Sequence, residues 1–279
     1  MGMERETIVV VTGASAGLGR ALAVEFTRRG MAVAGFGRDQ AGLDETKRLA
    51  GADLFMPLAV DVSDGQAVVE GFAEVERGLG TPAILVNNAA IHPHRDFLDE
   101  TPDTFLGCMA INLGGAVHCA HAALRGMVQT GKGRIINVGS FADIAPAPTC
   151  GAYSVSKGAV RIFSRTLAAD LGDRFPGIVV STWMPGILRT RMGLADGLDP
   201  ALAAYWGVEL SLCRDSALNG TEFERDTQIG RPRSFKRRLF EKVTRRGPRL
   251  MRLASPPISE RQAMAAQADF TGQMDEARA

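Results

Sequence analysis

Tyr153 and Lys157 stand four residues apart, and Ser140 closes the apolar run 135–138 thirteen residues before the tyrosine. Residues i and i+4 share one face of a helix, so a phenol and an ammonium at this spacing point into the same cleft. A free tyrosine titrates near pH ~10, too high for base chemistry at neutral pH, and a neighbouring cation favours the phenolate. Lys157 is the expected cation. A serine at the carboxyl end of a strand can hydrogen-bond a substrate oxygen beside the phenol. The three roles fit the proton half of carbonyl reduction: Ser140 orients, Tyr153 transfers the proton, Lys157 tunes it. A Tyr-x-x-x-Lys pair is commonplace by itself, and its weight depends on what stands upstream.

Upstream stands a loop suited to phosphate. The apolar run 8–11 leads directly into Thr12, Gly13, Ala14, Ser15, Ala16, Gly17, Leu18 and Gly19, which open an amphipathic helix with Leu22 and Phe26 on its apolar face. Glycines let a backbone approach a pyrophosphate closely, and a helix N-terminus offers unpaired N–H donors and partial positive charge. The spacing G-x-x-x-G-x-G also suits a bare strand-to-helix turn, but the strand before it and the helix after it favour a dinucleotide loop. Arg38, at the end of the second strand, suits a ribose 2′-phosphate, with Ser15 as a hydrogen-bonding helper. Asp39 beside it suits a free 2′-hydroxyl, the opposite preference. The balance favours NADP(H) over NAD(H).

Short apolar runs at 8–11, 32–36, 54–60, 84–86, 134–138 and 178–183 alternate with helical patterns ending at Gly30 and spanning 41–50, 67–77, 104–127 and 154–171. Strands separated by helices of this length predict a parallel sheet covered on both faces, the doubly wound α/β Rossmann architecture. The runs are continuously apolar, as strands buried on both faces are, and ligands of such sheets collect at the strands' carboxyl ends. The predicted organisation is one catalytic domain over 1–232, with a substrate segment at about 187–218, and a basic, helical C-terminal extension over 233–279.

Taken together, the motifs resemble those of a short-chain dehydrogenase/reductase over residues 7–232. Thr12 to Gly19 matches that family's TGxxxGxG loop, Asp61-Val62 its adenine-contacting pair, and Asn87-Asn88-Ala89-Ala90 its NNAG element, with Ala90 in place of glycine. Asn112, Ser140, Tyr153 and Lys157 match its Asn-Ser-Tyr-Lys tetrad, and Pro185-Gly186 with Thr190 the segment that meets the nicotinamide. The resemblance implies 4-pro-S hydride transfer coupled to proton transfer through Tyr153. It also implies that Lys157 holds the nicotinamide ribose and that Asn112 anchors a water leading from Lys157 to solvent. The family's last strand is apolar, whereas 221–226 here is polar, which puts that strand and the subunit contacts beside it in doubt.

Hydrophobic residues make up 46% of the 279 and charged residues 23%, so composition makes no case for disorder over the whole chain. Cys108, Cys119, Cys150 and Cys213 form no C-x-x-C pair, which predicts free thiols in a reducing, cytoplasmic setting. No apolar run is expected to reach the length of a membrane span. His92 and His94 read as lining the substrate entrance, with no third metal ligand nearby and no metal expected; His118 and His121 read as helix or subunit contacts. The substrate pocket is placed at His92, Phe141, Ile144, Pro146, Leu188, Met192, Tyr205 and Trp206, with Leu194 beside them, a largely apolar set. Arg189 and Arg191 are read as solvated, or as partners of a substrate acid.

Residues 231–252 carry ten cations against Glu241 alone, a local +9 that leaves −8 elsewhere because the whole chain carries +1. With Phe235, Leu239, Phe240 and Val243 among the cations, this segment reads as a basic amphipathic element. It would pack over the cleft or against a subunit, an acidic partner or a membrane surface; nucleic acid is disfavoured. The expected function is interconversion of a ketone or aldehyde with an alcohol by a homodimer or homotetramer. NAD-dependent alcohol oxidation and a cofactor sensor without turnover are the alternatives.

Overall fold

The structure, a computed structural model, describes residues 7–230 and 250–257. Strands β1 (Ile8–Thr12), β2 (Ala32–Gly37), β3 (Phe55–Ala59), β4 (Ile84–Asn87), β5 (Gly133–Val138), β6 (Ile178–Met184) and β7 (Thr221–Glu224) are parallel, and β8 (Thr227–Ile229) pairs antiparallel with β7. They form one sheet in the order β3-β2-β1-β4-β5-β6-β7-β8. The helices are α1 (Gly17–Arg28), α2 (Gln40–Ala50), α3 (Gly65–Gly78), α4 (Pro102–Met109), α5 (Gly115–Thr130), α6 (Gly151–Gly172) and α7 (Pro200–Leu212). This is the expected doubly wound α/β fold. Strand order reverses between β1 and β4, and the crevice at their carboxyl ends is where such sheets bind ligands.

Successive residues of one strand serve two cores. Val9 and Val11 of β1 join Leu22 and Phe26 of α1 and Trp206 of α7, while Ile8 and Val10 join Phe72 of α3 and Cys119 and Met127 of α5. Side chains alternate across a strand, so two buried faces require apolar residues at every position. Each fully buried Val, Leu or Phe contributes about 1.5–3 kcal/mol relative to exposure.

Three expectations change. The helix expected over 104–127 is α4 and α5 joined by a π-helical turn, Ala110–Gly114, which carries Asn112. The run Pro102–Thr130 is also long and apolar enough by composition to cross a membrane, contrary to expectation. Its buried side chains, among them Cys119, Ala120, Ala123 and Met127, are spent on α3 and the sheet.

The polar segment 221–226 forms a strand after all. Thr221 and Phe223 turn inward, Phe223 fully buried, while Glu222 pairs with Arg161 at 3.6 Å and Arg165 at 2.5 Å on α6. Arg161 also pairs with Asp143 at 3.0 Å, so the polar residues of β7 tie the strand to α6 and to the turn after Ser140.

The boundary at 232/233 and most of the basic segment lie outside the described residues. Residues 250–253 are extended and not helical. Arg252 bridges to Thr227 and pairs with Asp226 at 2.7 Å, and Leu253 is buried in the core.

Candidate active site

The loop after β1 is shaped by close approach. Gly13 has φ 68° and Gly17 φ 53°, the left-handed region that glycine enters without strain. A Cβ on Gly19 would lie 2.0 Å from the Gly13 carbonyl oxygen, so α1 begins in contact with the loop. Thr12 Oγ1 accepts from the backbone N–H of Asn88 and of Ala89, both at 2.9 Å, and Asn88 Nδ2 donates to the Thr12 carbonyl at 2.8 Å. The Asn88-Ala89 element after β4 thus braces the loop from the other side of the crevice. The N-cap of α1, Ala16, supplies no side-chain acceptor, which leaves the first-turn N–H groups directed at whatever occupies the loop.

Two residues that sequence reasoning passed over hold this loop from behind. Arg20 donates to the Ser15 carbonyl at 2.6 Å and to Thr46 Oγ1 at 3.1 Å, and Thr46 Oγ1 donates to the Ala14 carbonyl at 2.8 Å. Arg20 sits on the first turn of α1, the signal that would have found it.

At the end of β2, Arg38 is exposed and stands 3.7 Å from Asp61. Asp39 caps α2, its carboxylate accepting from Gly42 N at 3.1 Å. Asp61 accepts from Ser63 Oγ at 2.7 Å, and that bond holds its carboxyl below the usual range. Val62 is buried, its carbonyl 3.0 Å from His118 Nδ1, which gives His118 a contact role between α5 and this segment. Pro185 and Gly186 (φ 92°) follow β6, and Thr190 reaches back so that a Cβ on Gly17 would meet its methyl at 3.3 Å. The glycine cradle, the uncapped helix end and the exposed guanidinium together fit a dinucleotide with its pyrophosphate on Gly13, Ser15, Gly17, Leu18 and Gly19.

Ser140, Tyr153 and Lys157 converge beside this crevice. Ser140 follows β5 and caps the short turn Phe141–Asp143, accepting from Ala142 N at 3.2 Å. Lys157 is buried, and its ammonium donates to the Val138 carbonyl at 2.8 Å. Burial lowers its pKa to about 8.

The expected lowering of Tyr153 by Lys157 is not what this geometry produces. Burial is the largest influence and pushes the phenol's pKa up, opposed by a hydrogen bond with Ser140, while Lys157 Nζ stands 5.7 Å from the ring centroid. Asn112, 2% exposed, accepts from Ile91 N at 2.8 Å and donates to the Ile91 carbonyl and to Ser156 Oγ, both at 2.9 Å. Ser156 in turn donates to the Tyr153 carbonyl at 2.7 Å. Asn112 therefore braces both the turn that carries Tyr153 and the strand exit that leads to His92.

Of the pocket residues, Phe141, Ile144, Pro146 and Met192 are exposed around this crevice. His92 stacks on Tyr153 with ring centroids 4.1 Å apart, and burial, then His94, lowers its pKa. Leu188 is buried in the core, and Arg189 pairs with Asp199 at 2.9 Å.

Tyr205 and Trp206 do not line the pocket. Both are core residues of the layer between α1 and α7, and Arg29, at the far end of α1 from the glycine loop, lies 4.7 Å from the Tyr205 ring centroid. Their aromatic bulk resembles pocket lining, but it fills the core between α1, α7 and the central strands. His92 and His94 also acquire a neighbour that was not expected: Cys150 Sγ lies 3.2 Å from His92 Nε2.

Fold and site together define an α/β protein of the dinucleotide-binding class, with Ser140, Tyr153 and Lys157 grouped beside its glycine loop. The family profile described as short chain dehydrogenase matches residues 7–199, and the chain belongs to that family. It is 38% identical over 196 residues to "Probable oxidoreductase EphD" of Mycobacterium bovis, a match covering 69% of this chain but only 33% of that protein. The chain thus spans a third of the length of these mycobacterial relatives. It is 34% identical to "Galactitol 2-dehydrogenase (L-tagatose-forming)" of Cereibacter sphaeroides and 32% to "NADP-dependent (R)-specific alcohol dehydrogenase" of Lentilactobacillus kefiri; each match covers 70% of this chain and 77% of the relative. A crystal structure of a short chain dehydrogenase from Bacillus anthracis superposes with a TM-score of 0.74 at 24% identity, covering 79% of this chain and 95% of that one, a likeness of fold.

Proposed function

We propose that the chain is an NADP(H)-dependent oxidoreductase that interconverts a ketone or aldehyde with the corresponding alcohol, Tyr153 being the proton donor and acceptor. The observation that carries this reading is the convergence of Ser140, Tyr153 and Lys157 beside the glycine loop at the carboxyl edge of the sheet. The nicotinamide, when bound, supplies or takes up the hydride at the carbonyl carbon.

The chain's own residues handle the oxygen and its proton. Burial keeps Tyr153 protonated at neutral pH, the state needed to donate to a carbonyl oxygen, and Ser140 hydrogen-bonds the same oxygen. Lys157, one helical turn beyond Tyr153, is fixed by the Val138 carbonyl of β5, and its charge favours the phenolate left behind. Running the reaction toward the ketone needs the phenolate as base, so alcohol oxidation is expected to rise with pH through the alkaline range. Phe141, Ile144 and Met192 favour an apolar substituent on the substrate.

Preference for NADP(H) is supported by two details. Asp39, the residue placed to hold a free 2′-hydroxyl, is committed to capping α2, and Arg38 is exposed directly after Gly37, the glycine that lies against Ser15. A reducing, cytoplasmic setting is supported by the four free cysteines. Self-association is supported by the exposed Leu106, Val117 and Val128 on α4 and α5 and Ile162 on α6.

Initial rates over a panel of ketones, aldehydes and alcohols with NADPH and NADH test the assignment. A charge-assisted hydrogen bond contributes about 1.5–3 kcal/mol, so Arg38→Asp should shift the kcat/KM ratio toward NADH by roughly tenfold or more. Equal use of both coenzymes by the unaltered chain would overturn the NADP(H) preference.

A further inference from the structure

At the mouth of the cleft, the loop after β4 meets the loop before α6 in an arrangement that proton transfer does not require. His92 Nε2 lies 3.2 Å from Cys150 Sγ, His94 Nδ1 lies 3.6 Å from the same sulfur, and all three atoms fall within 4.8 Å of one another. Zn²⁺ binds imidazole nitrogen at about 2.0–2.1 Å and thiolate sulfur at about 2.3 Å, which at tetrahedral angles separates nitrogen from sulfur by about 3.6 Å. The two gaps to Cys150 are already close to that spacing.

The arrangement is built rather than incidental. Cys150 is 4% exposed and immediately precedes α6. The residue before it, Thr149, has φ 63°, a left-handed conformation that costs a β-branched residue on the order of 1–3 kcal/mol. The Thr149 carbonyl accepts from Arg95 N at 2.8 Å, which ties the histidine loop to the cysteine loop one residue from each of His94 and Cys150. The expectation that no third ligand stands near the histidines fails because the fold brings in a cysteine 56 and 58 residues further along the chain.

We infer that His92, His94 and Cys150 form a Zn²⁺ site whose occupation shuts the cleft. Two imidazoles and a thiolate suit zinc and not a hard cation such as magnesium or calcium. The thiol gives up its proton on binding, the imidazoles bind through their lone pairs, and water completes the tetrahedron. His92 is also the ring stacked on Tyr153, at 4.1 Å and 31°. The bound cation therefore stands against the phenol, where a substrate oxygen has to arrive. Metal binding stands on geometry alone, while the shut-off rests on the proposed role of Tyr153.

Cobalt(II) titration of the full, reduced, chelator-treated chain separates the two parts. One equivalent should produce a thiolate-to-cobalt charge-transfer band in the near ultraviolet, displaced by Zn²⁺. The band should vanish in Cys150→Ser and persist in Cys213→Ser. Outer partners of metal ligands are worth about 10–100-fold in affinity, so His94→Ala, which removes a ligand itself, should weaken binding at least about 100-fold. In turnover assays Zn²⁺ should inhibit the unaltered chain, reversibly with chelator, and leave Cys150→Ser and His94→Ala at their metal-free rates. No band, or a band retained by Cys150→Ser, overturns the site, whether or not a substrate has been found. A cobalt site at which Zn²⁺ leaves turnover unchanged overturns the shut-off.

Discussion

Replacing Lys157 with methionine should remove a pH dependence from the stability of the cofactor-free protein. Lys157 is 4% exposed, and burial lowers its pKa from 10.5 to about 8. Below pH 8 the lysine is charged in both folded and unfolded chains, and the folded state carries the full cost of the buried charge, about 3 kcal/mol at 1.36 kcal/mol per pKa unit. Between about pH 8 and 10.5 the unfolded chain binds more protons, so stability rises with pH; above both values the cost is gone. Methionine has no charge to desolvate, but it leaves the Val138 carbonyl without its donor, a loss of about 1–3 kcal/mol. The net gain at neutral pH is therefore small, roughly 0–2 kcal/mol, and the slope is the informative quantity. Urea midpoints of both proteins from pH 7 to 10 measure it. The unaltered protein should gain on Lys157→Met by a few kcal/mol across that range. Tyr153, whose raised pKa makes stability fall above about pH 10, is common to both proteins and cancels in the difference. A difference that stays flat from pH 7 to 10 would refute the buried-charge account of Lys157.

Gly19→Ala places a methyl 2.0 Å from the Gly13 carbonyl oxygen and 2.7 Å from Asn88 Nδ2, contacts that backbone cannot yield cheaply. It should destabilise by about 1–3 kcal/mol and weaken NADPH binding in fluorescence titrations. Gly107→Ala on α4, where an added Cβ meets nothing within 4 Å, should be neutral or slightly stabilising by about 0.5–1 kcal/mol, and serves as the control. Glu222→Gln removes the carboxylate shared by Arg161 and Arg165 and should cost about 1–3 kcal/mol in denaturant melts, whereas a melt unchanged from that of the unaltered chain would mean the polar face of β7 is held by something else.

The parallel sheet was legible because strands buried on both faces must be apolar at every position, and runs such as Ile8-Val9-Val10-Val11 say so without ambiguity. The glycine loop and the Tyr153/Lys157 pair were legible for a similar reason: their chemistry is local, spread over four to eight consecutive residues. What escaped depends on distant pairings. β7 looked too polar because its partners, Arg161 and Arg165, lie on another element about sixty residues earlier. Cys150 meets His92 only through the fold. Tyr205 and Trp206 carry the composition of a pocket, and only the packing of α7 against α1 shows that they fill the core. The pKa direction of Tyr153 was missed because spacing reveals a nearby cation but not the depth of burial that outweighs it.

Turnover and coenzyme affinity of Tyr153→Phe, measured side by side, test the central claim most directly. Phenylalanine keeps the ring and its stack on His92 and removes only the hydroxyl. General acid–base groups contribute about 10²–10⁴-fold, so kcat should fall at least about 10²-fold while the Kd for NADPH stays at its unaltered value. Carbonyl reduction at close to the original rate by Tyr153→Phe would contradict the account.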